Sequence, residues 1–228
     1  MLGIALGIIG GAVVSITLTM LIEYLRLPRL ILEIEQPPHT ANNPDKTTRR
    51  HLRLILKNKP LPPGFGWMQR SAATQCKGAI TFHVIGDGQD VFGRSMEVRW
   101  ASSPGPRRSQ ILNLDGNVQY KIQDFGRAGT GRVDVYPGDQ EILDVAVRYE
   151  GETDCYGWNN EVYFNNWRNP DWRLEPERYL VKVVITSSSR KCTNVFRLLN
   201  NVPRHTDCRL EKASTEDRDD IRKWEIGA

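Results

Sequence analysis

From Leu2 to Ile22 the sequence contains neither a charged side chain nor a proline, and Glu23 is its first charge. A helix over those residues rises about 31 Å, against roughly 30 Å for the hydrocarbon core of a bilayer. Tyr24, Arg26 and Arg29 follow at once, an aromatic and two cations of the kind that settle at a headgroup boundary. Pro28 stops the helix. The expectation is one transmembrane anchor over residues 1–27. A cleaved signal peptide would start with basic residues and carry a shorter apolar stretch. Because arginines crowd the far end of the span, the positive-inside rule places the rest of the chain in the cytoplasm. The absence of any Asn-x-Ser/Thr acceptor agrees with that placement.

Within the run, Gly3, Gly7, Gly11 and Ser15 recur at every fourth position, with Gly10 beside them. Small residues at that spacing form a flat strip on one helix face, against which a second helix can lie closely. The expected partners are therefore the lipid bilayer and, through this strip, another protein or a second copy of the chain. The competing reading is that glycine is simply common in membrane helices.

The remaining residues alternate with a period of two. Ile31–Glu35, His51–Lys57, Ala79–Ile85, Met96–Trp100, Val118–Ile122, Val133–Tyr136 and Ile142–Tyr149 read as strands, separated by proline- and glycine-containing turns. Tyr179–Thr186 and Asn194–Leu199 form a hairpin about a serine-rich turn. His39–Thr48 reads as a loop. The expected fold is mainly β: one N-terminal transmembrane helix followed by an antiparallel β-sandwich of seven to nine strands over residues 28–202, with a closed barrel as the alternative. Residues 203–228 read as a charged tail. Ser214–Trp224 could form a capped helix there, but Ile221 and Trp224 are too little apolar surface to hold it without something to dock on.

The run from Val133 through Pro137-Gly138-Asp139 to Val147, and then Leu174-Glu175-Pro176-Glu177-Arg178-Tyr179 leading into a long apolar strand, resembles the second half of immunoglobulin-like accessory domains. Those domains enter a late strand through a Leu-x-Pro-Gly-x-Tyr pattern; here Glu177 stands in the place of the glycine. The whole chain is also similar to single-pass prokaryotic membrane proteins with a small β domain. The resemblance implies an immunoglobulin-like sandwich and a binding or scaffolding role.

Net charge is +4, from 31 basic and 27 acidic residues, which is too scattered for a nucleic-acid stripe. Lys46, Arg49, Arg50, Arg53, Lys57 and Lys59 come closest to a cluster, readable either as a contact with anionic lipid or as a solvated loop and strand edge. The histidines at 39, 51, 83 and 205 form no metal-binding pair, and Cys76, Cys155, Cys192 and Cys208 have no Cys-x-x-Cys spacing. No metal, cofactor or catalytic residues are expected. In the cytoplasm the thiols would stay reduced; outside it they could pair in three ways. Gly126–Arg132 lacks the strand, helix and Gly-Lys-Ser/Thr ending of a phosphate loop. Asp87, Asp90 and Asp139 suit turn capping.

One segment is unusually aromatic. Trp158, Tyr163, Phe164, Trp167 and Trp172 lie among Arg168, Arg173 and several asparagines. Trp, Tyr and Arg dominate interface hot spots, so Trp158, Tyr163, Trp167, Arg168, Trp172 and Arg173 are the candidate binding residues. The competing reading is that these rings close an open end of the sandwich. The functional expectation is a non-catalytic, membrane-anchored interaction module or accessory subunit. The alternative is an extracytoplasmic domain sensing a small molecule or carbohydrate.

Overall fold

The structure is a computed structural model that describes residues 2–42, 48–65, 67–103, 108–112, 118–122, 131–164 and 167–227. Helix α1 covers Leu2–Arg26, where the sequence places the span. Its side chains are described from Gly11 onward, and among the described residues no helix is long and apolar enough to cross a membrane. Val13, Val14, Ile16, Leu18, Met20 and Leu21 are all exposed, so the helix does not bury itself in the β domain. Thr17 and Thr19 turn their hydroxyls back onto the carbonyls of Val13 and Ser15, which satisfies them without solvent.

The rest is two antiparallel sheets. The first contains β1 (Leu30–Ile34), β2 (His39–Asn42), β3 (Thr48–Asn58), β6 (Arg99–Trp100), β10 (Gln140–Tyr149), β11 (Cys155–Gly157) and β12 (Arg173–Leu174). Its main path runs β1-β3-β10-β11-β12. The second contains β4 (Ala73–Val84), β5 (Met96–Glu97), β9 (Arg132–Val135), β13 (Arg178–Thr186), β14 (Lys191–Leu199) and β15 (Arg209–Lys212), in the path β15-β14-β13-β4-β5. A separate pair, β7 (Arg108–Leu112) and β8 (Val118–Ile122), completes the strands. The sheets stay open rather than closing into a barrel. They number more strands than the alternation suggests because Met96–Trp100 splits at Val98 into β5 and β6, which join different sheets, and because β11 and β12 are only three and two residues long, too short to show a period.

Alternation builds the core. Leu52, Leu54 and Leu56 of β3, Ile80 and Phe82 of β4, and Val181, Val183 and Ile185 of β13 share one apolar cluster with Trp100, Tyr149 and Phe196. β13 is hydrogen-bonded on both edges, to β4 and β14, which is where a β-branched run is most at home. β10 carries a bulge between Asp144 and Ala146, and all seven of its last residues are buried.

Two segments depart from the expectations. His39–Asn42 pairs with the start of β3 instead of forming a loop, although its exposed residues show no apolar face. The charged segment after Val202 is part of the domain: β15 pairs with β14, and helix α3 (Thr215–Gly227) lies on the outer face of the second sheet. The sheet supplies the docking that the helix lacks in sequence. Ile221 is buried with Leu180, Val195 and Ala213, and Trp224 packs against them. Gly88, at φ +72°, leaves room for the Trp224 indole, which any larger residue would strike. Asp217 accepts from the Ser214 backbone at 2.7 Å and from Arg197 at 2.7 and 2.9 Å, and Lys182 pairs with Glu225. Burial works to raise the Asp217 carboxyl, but the Arg197 and Ser214 hydrogen bonds outweigh it and hold it below its usual range.

Asp217 both caps α3 and ties it to β14, so Asp217→Asn should cost about 1–2 kcal/mol in urea unfolding followed by circular dichroism. A carboxyl depressed in the fold stabilises above its unfolded pKa of roughly 3.9 and loses that contribution as pH falls through the folded value. The gap between the wild type and Asp217→Asn should therefore be full at neutral pH and narrow only in strong acid.

Candidate functional site at the helix junction

Two of the three tryptophans in the aromatic segment are core residues: Trp158 is 1% exposed and Trp172 is 3% exposed. Trp172 stacks edge-on against Phe92 at 4.9 Å and donates its indole N–H to Glu161. The short helix α2 (Asn160–Phe164), capped by Asn159 through the Val162 N–H, carries the segment over the first sheet. Trp167 is half-buried beneath the Arg49 guanidinium, 4.3 Å from its ring, and Tyr163 beneath Arg99 at 3.8 Å. Arg168 and Arg173 are exposed, but pair with Glu152 at 2.5 Å and Asp154 at 2.8 Å. Of the six candidate binding residues, Trp158 and Trp172 thus have no ring face to offer a partner. The segment closes the sandwich because its apolar rings are what cover a sheet end whose strands are short.

Beneath it lies a set of charged groups that spacing does not reveal. Arg53 donates to Asp144 at 2.6 Å, with Arg99 4.0 Å and His51 3.8 Å from the same carboxylate. Burial raises the Asp144 carboxyl despite the attraction of Arg53. The same burial, with Arg53, Arg49, His39 and Arg99 nearby, pushes the His51 imidazole down to about 2, so it stays neutral. Its Nε2 accepts from Arg49 at 3.1 Å, and its Nδ1 has no hydrogen-bond partner. A neutral imidazole sealed under Trp158 at 5.3 Å has no access to substrate protons.

Among the described residues there is no group of three or more His, Cys, Asp or Glu able to hold a metal. The four cysteines are free; Cys155 and Cys208 lie with sulfurs 3.4 Å apart, both bonded to Asn200. Asn200 in turn fixes the buried Arg148, whose guanidinium is satisfied by the carbonyls of Glu152, Asn200 and Val202. Gly126–Arg132 falls mostly outside the described residues. Asp87 and Asp90 cap the Gln89 and Phe92 N–H groups as turn residues do.

The basic cluster does not form. β3 is extended, so its cations spread over its length and find partners: Arg50 on the Thr206 carbonyl, Arg53 on Asp144, Lys57 on Glu33. Lys46 lies outside the described residues. A different set of cations gathers where α1 meets the sheets. There Arg70 donates to the carbonyls of Leu25 and Leu27, both at 2.9 Å, and the Ser71 N–H donates to Arg26. These bonds take up helix-end carbonyls that have no partner inside α1. Asn58, fully buried, accepts from the Arg29 N–H and donates to the carbonyls of Ser71 and Val135, each at 3.1 Å.

Around this junction lies a groove of about 650 Å³ lined by Tyr24, Arg29, Arg70, Arg190, Lys191 and Cys192 among others. Beside it a second hollow of about 300 Å³ is lined by the proline-rich stretch Pro60–Phe65, Met68, Arg70 and Pro137. Outside α1, the exposed large apolar side chains of the described residues are Phe65, Trp67, Ile85 and Tyr136. Phe65 and Trp67 belong to the connection whose Arg70 and Ser71 hold α1, and Tyr136 borders Pro137. Tyr24 lines the first hollow, Phe65 the second and Arg70 both, so aromatic and cationic side chains form a collar beside the base of the helix. Of the expected helix-packing residues, Gly11 meets nothing within 4 Å and Ser15 is exposed. Gly3 and Gly7 lie in α1, before the point from which side chains are described.

Compared with protein-family models, curated proteins and solved structures, the chain matches none.

Core and collar aromatics should separate in unfolding experiments. Trp158→Ala should cost about 3–5 kcal/mol, whereas Trp67→Ala, at a residue 73% exposed, should stay within about 0.5 kcal/mol. The buried neutral His51 gains a proton on unfolding below its unfolded pKa of ~6.5, so stability present above that value is lost as pH falls. Between pH 7.5 and 5 that loss should reach about 2 kcal/mol, and it should be largely absent in His51→Gln.

Proposed function

We propose that the chain is a membrane-tethered, non-catalytic interaction module or accessory subunit, anchored by α1 with its two-sheet domain held at the cytoplasmic face. One observation carries the reading: an uncharged helical run from Leu2 to Ile22 keeps its described apolar side chains out of the β domain and ends at a groove lined by Tyr24, Arg29, Arg70 and Arg190, a collar of one aromatic and several cations. Exposed valine, isoleucine and leucine all round a helix are costly in water and favourable in hydrocarbon. The collar has the composition of a membrane–water boundary. The two open antiparallel sheets support an immunoglobulin-like scaffold, a type of domain that binds more often than it catalyses. Gly3, Gly7, Gly11 and Ser15, one helical turn apart, are the surface proposed for a partner helix or a second copy.

A second reading, an extracytoplasmic sensor of a small molecule or carbohydrate, is favoured by the Cys155–Cys208 pair. Two sulfurs 3.4 Å apart are within easy reach of a bond that an oxidising compartment would maintain, each thiol giving up its hydrogen to an oxidant such as another disulfide. The burial of Trp158 and Trp172 counts against it, because a sugar platform needs open rings.

The test is fractionation followed by affinity purification. The chain should remain in the membrane pellet through alkaline carbonate and dissolve only with detergent; release by carbonate would refute the anchor. Mild-detergent purification with a C-terminal tag should recover a stoichiometric protein partner or a homodimer that Gly7→Leu/Gly11→Leu abolishes. Intact mass in the absence of reductant decides the side: thiols at Cys155 and Cys208 support the cytoplasm, and loss of two hydrogens supports the second reading.

A further inference from the structure

The groove at the base of α1 is lined by four cations and no carboxylate. Arg29 follows the helix end, Arg70 comes from the connection between the sheets, Arg190 from the turn between β13 and β14, and Lys191 from the first position of β14. None of the four makes an ion pair with a carboxylate among the described residues, in a domain where Arg53, Lys57, Arg173 and Arg197 all do. The arrangement is built rather than accidental. Ser187 closes the turn by donating its backbone N–H and its hydroxyl to the Arg190 carbonyl and accepting from the Arg190 N–H, and Ser188 bonds Thr74. Arg190 is thereby carried to within 5.7 Å of the Tyr24 ring, on the last turn of α1. Arg70 spends one nitrogen on the two helix carbonyls, while its Nε is buried without a partner.

Like charges brought together without a counter-charge repel one another, and an anion between them relieves that cost. We infer that this groove binds the phosphate of an anionic phospholipid headgroup. The inference rests on the membrane-anchored reading of α1. The lipid is preferred over a free phosphate because the groove opens against the helix, with Leu25, Leu27 and Leu30 also in its lining. Those apolar residues suit the glycerol and upper acyl region of a lipid and offer nothing to an inorganic anion. A bound headgroup would add a second fixed point between domain and bilayer, and would favour membranes rich in anionic lipid.

The experiment uses the full chain in vesicles of phosphatidylcholine alone and of phosphatidylcholine with a minority of phosphatidylglycerol. Flotation in both shows that the anchor stands; failure to float in either removes the anchored reading itself. From the mixed vesicles, the chain is released in mild detergent and its retained lipids are counted by native mass spectrometry. Phosphatidylglycerol should be enriched over the input by about tenfold. Arg190→Gln/Lys191→Gln should float normally, keep its circular dichroism spectrum and retain lipids at the input ratio, while Lys191→Arg keeps the enrichment. A chain that floats but retains the two lipids in input proportion, or retains none, overturns the headgroup site and leaves the anchor intact. So does a chain that takes up inorganic phosphate in pure phosphatidylcholine without enriching phosphatidylglycerol.

Discussion

Asn58 is where the parts of this molecule meet. It ends β3, and its backbone is bonded to the turn at Gly138 and Asp139 that leads into β10. Its amide group reaches Arg29 just before β1, the end of β9 and the connection that holds the helix carbonyls. A buried amide with donors and acceptor all used is worth little net compared with water. Removing one partner, however, leaves polar groups buried and unsatisfied at a cost of about 1–3 kcal/mol each. The side chain therefore specifies an arrangement more than it adds stability: helix exit, connection and second sheet are in register, or several buried groups are orphaned at once.

The same logic runs through the interior. Arg148 is fully buried with no carboxylate bonded to it among the described residues, and only three carbonyls from two segments, at Glu152 and at Asn200 and Val202, make that tolerable. Asp144 sits on the bulge of β10 among Arg53, Arg99 and His51. Ion pairs of this kind roughly break even against apolar packing, because desolvation offsets attraction, but breaking one strands a charge. Their effect is to hold strands of two or three residues, such as β6 and β11, which have too few ladder bonds to hold themselves.

These features explain what the sequence discloses. Where one face of a strand is apolar, as at Leu52, Leu54 and Leu56, the period is legible, and β1, β3, β10, β13 and β14 follow from it. Strand β2 exists only because β3 has an open edge, so nothing in His39–Asn42 announces it. Helix α3 owes its place to Arg197 and Leu180 on strands far away in sequence. Aromatic density around Trp158 and Trp172 leaves a binding face and a core cap both open, because hot spots and core caps have the same composition; only burial separates them. The collar was illegible for the opposite reason. Tyr24, Arg29, Arg70 and Arg190 are unremarkable singly, and only the junction at Asn58 assembles them.

That assembly bears on how an anchored domain would behave. A tether of glycine and serine leaves a domain free to tumble, and every face of it is then equally available. Here no such linker intervenes: Leu27, Pro28 and Arg29 alone separate α1 from β1, and the connection before β4 bonds both sides of the junction, Arg70 to the Leu25 carbonyl and the Lys59 N–H to the Arg29 carbonyl. Helix direction and domain orientation are thus one variable. Trp67 would gain about 2–3 kcal/mol from burial that the fold does not provide. On the anchored reading it recovers that energy only in an orientation that brings it to the bilayer boundary. The face farthest from the helix, rather than the aromatic segment as such, is then the surface always presented to a partner.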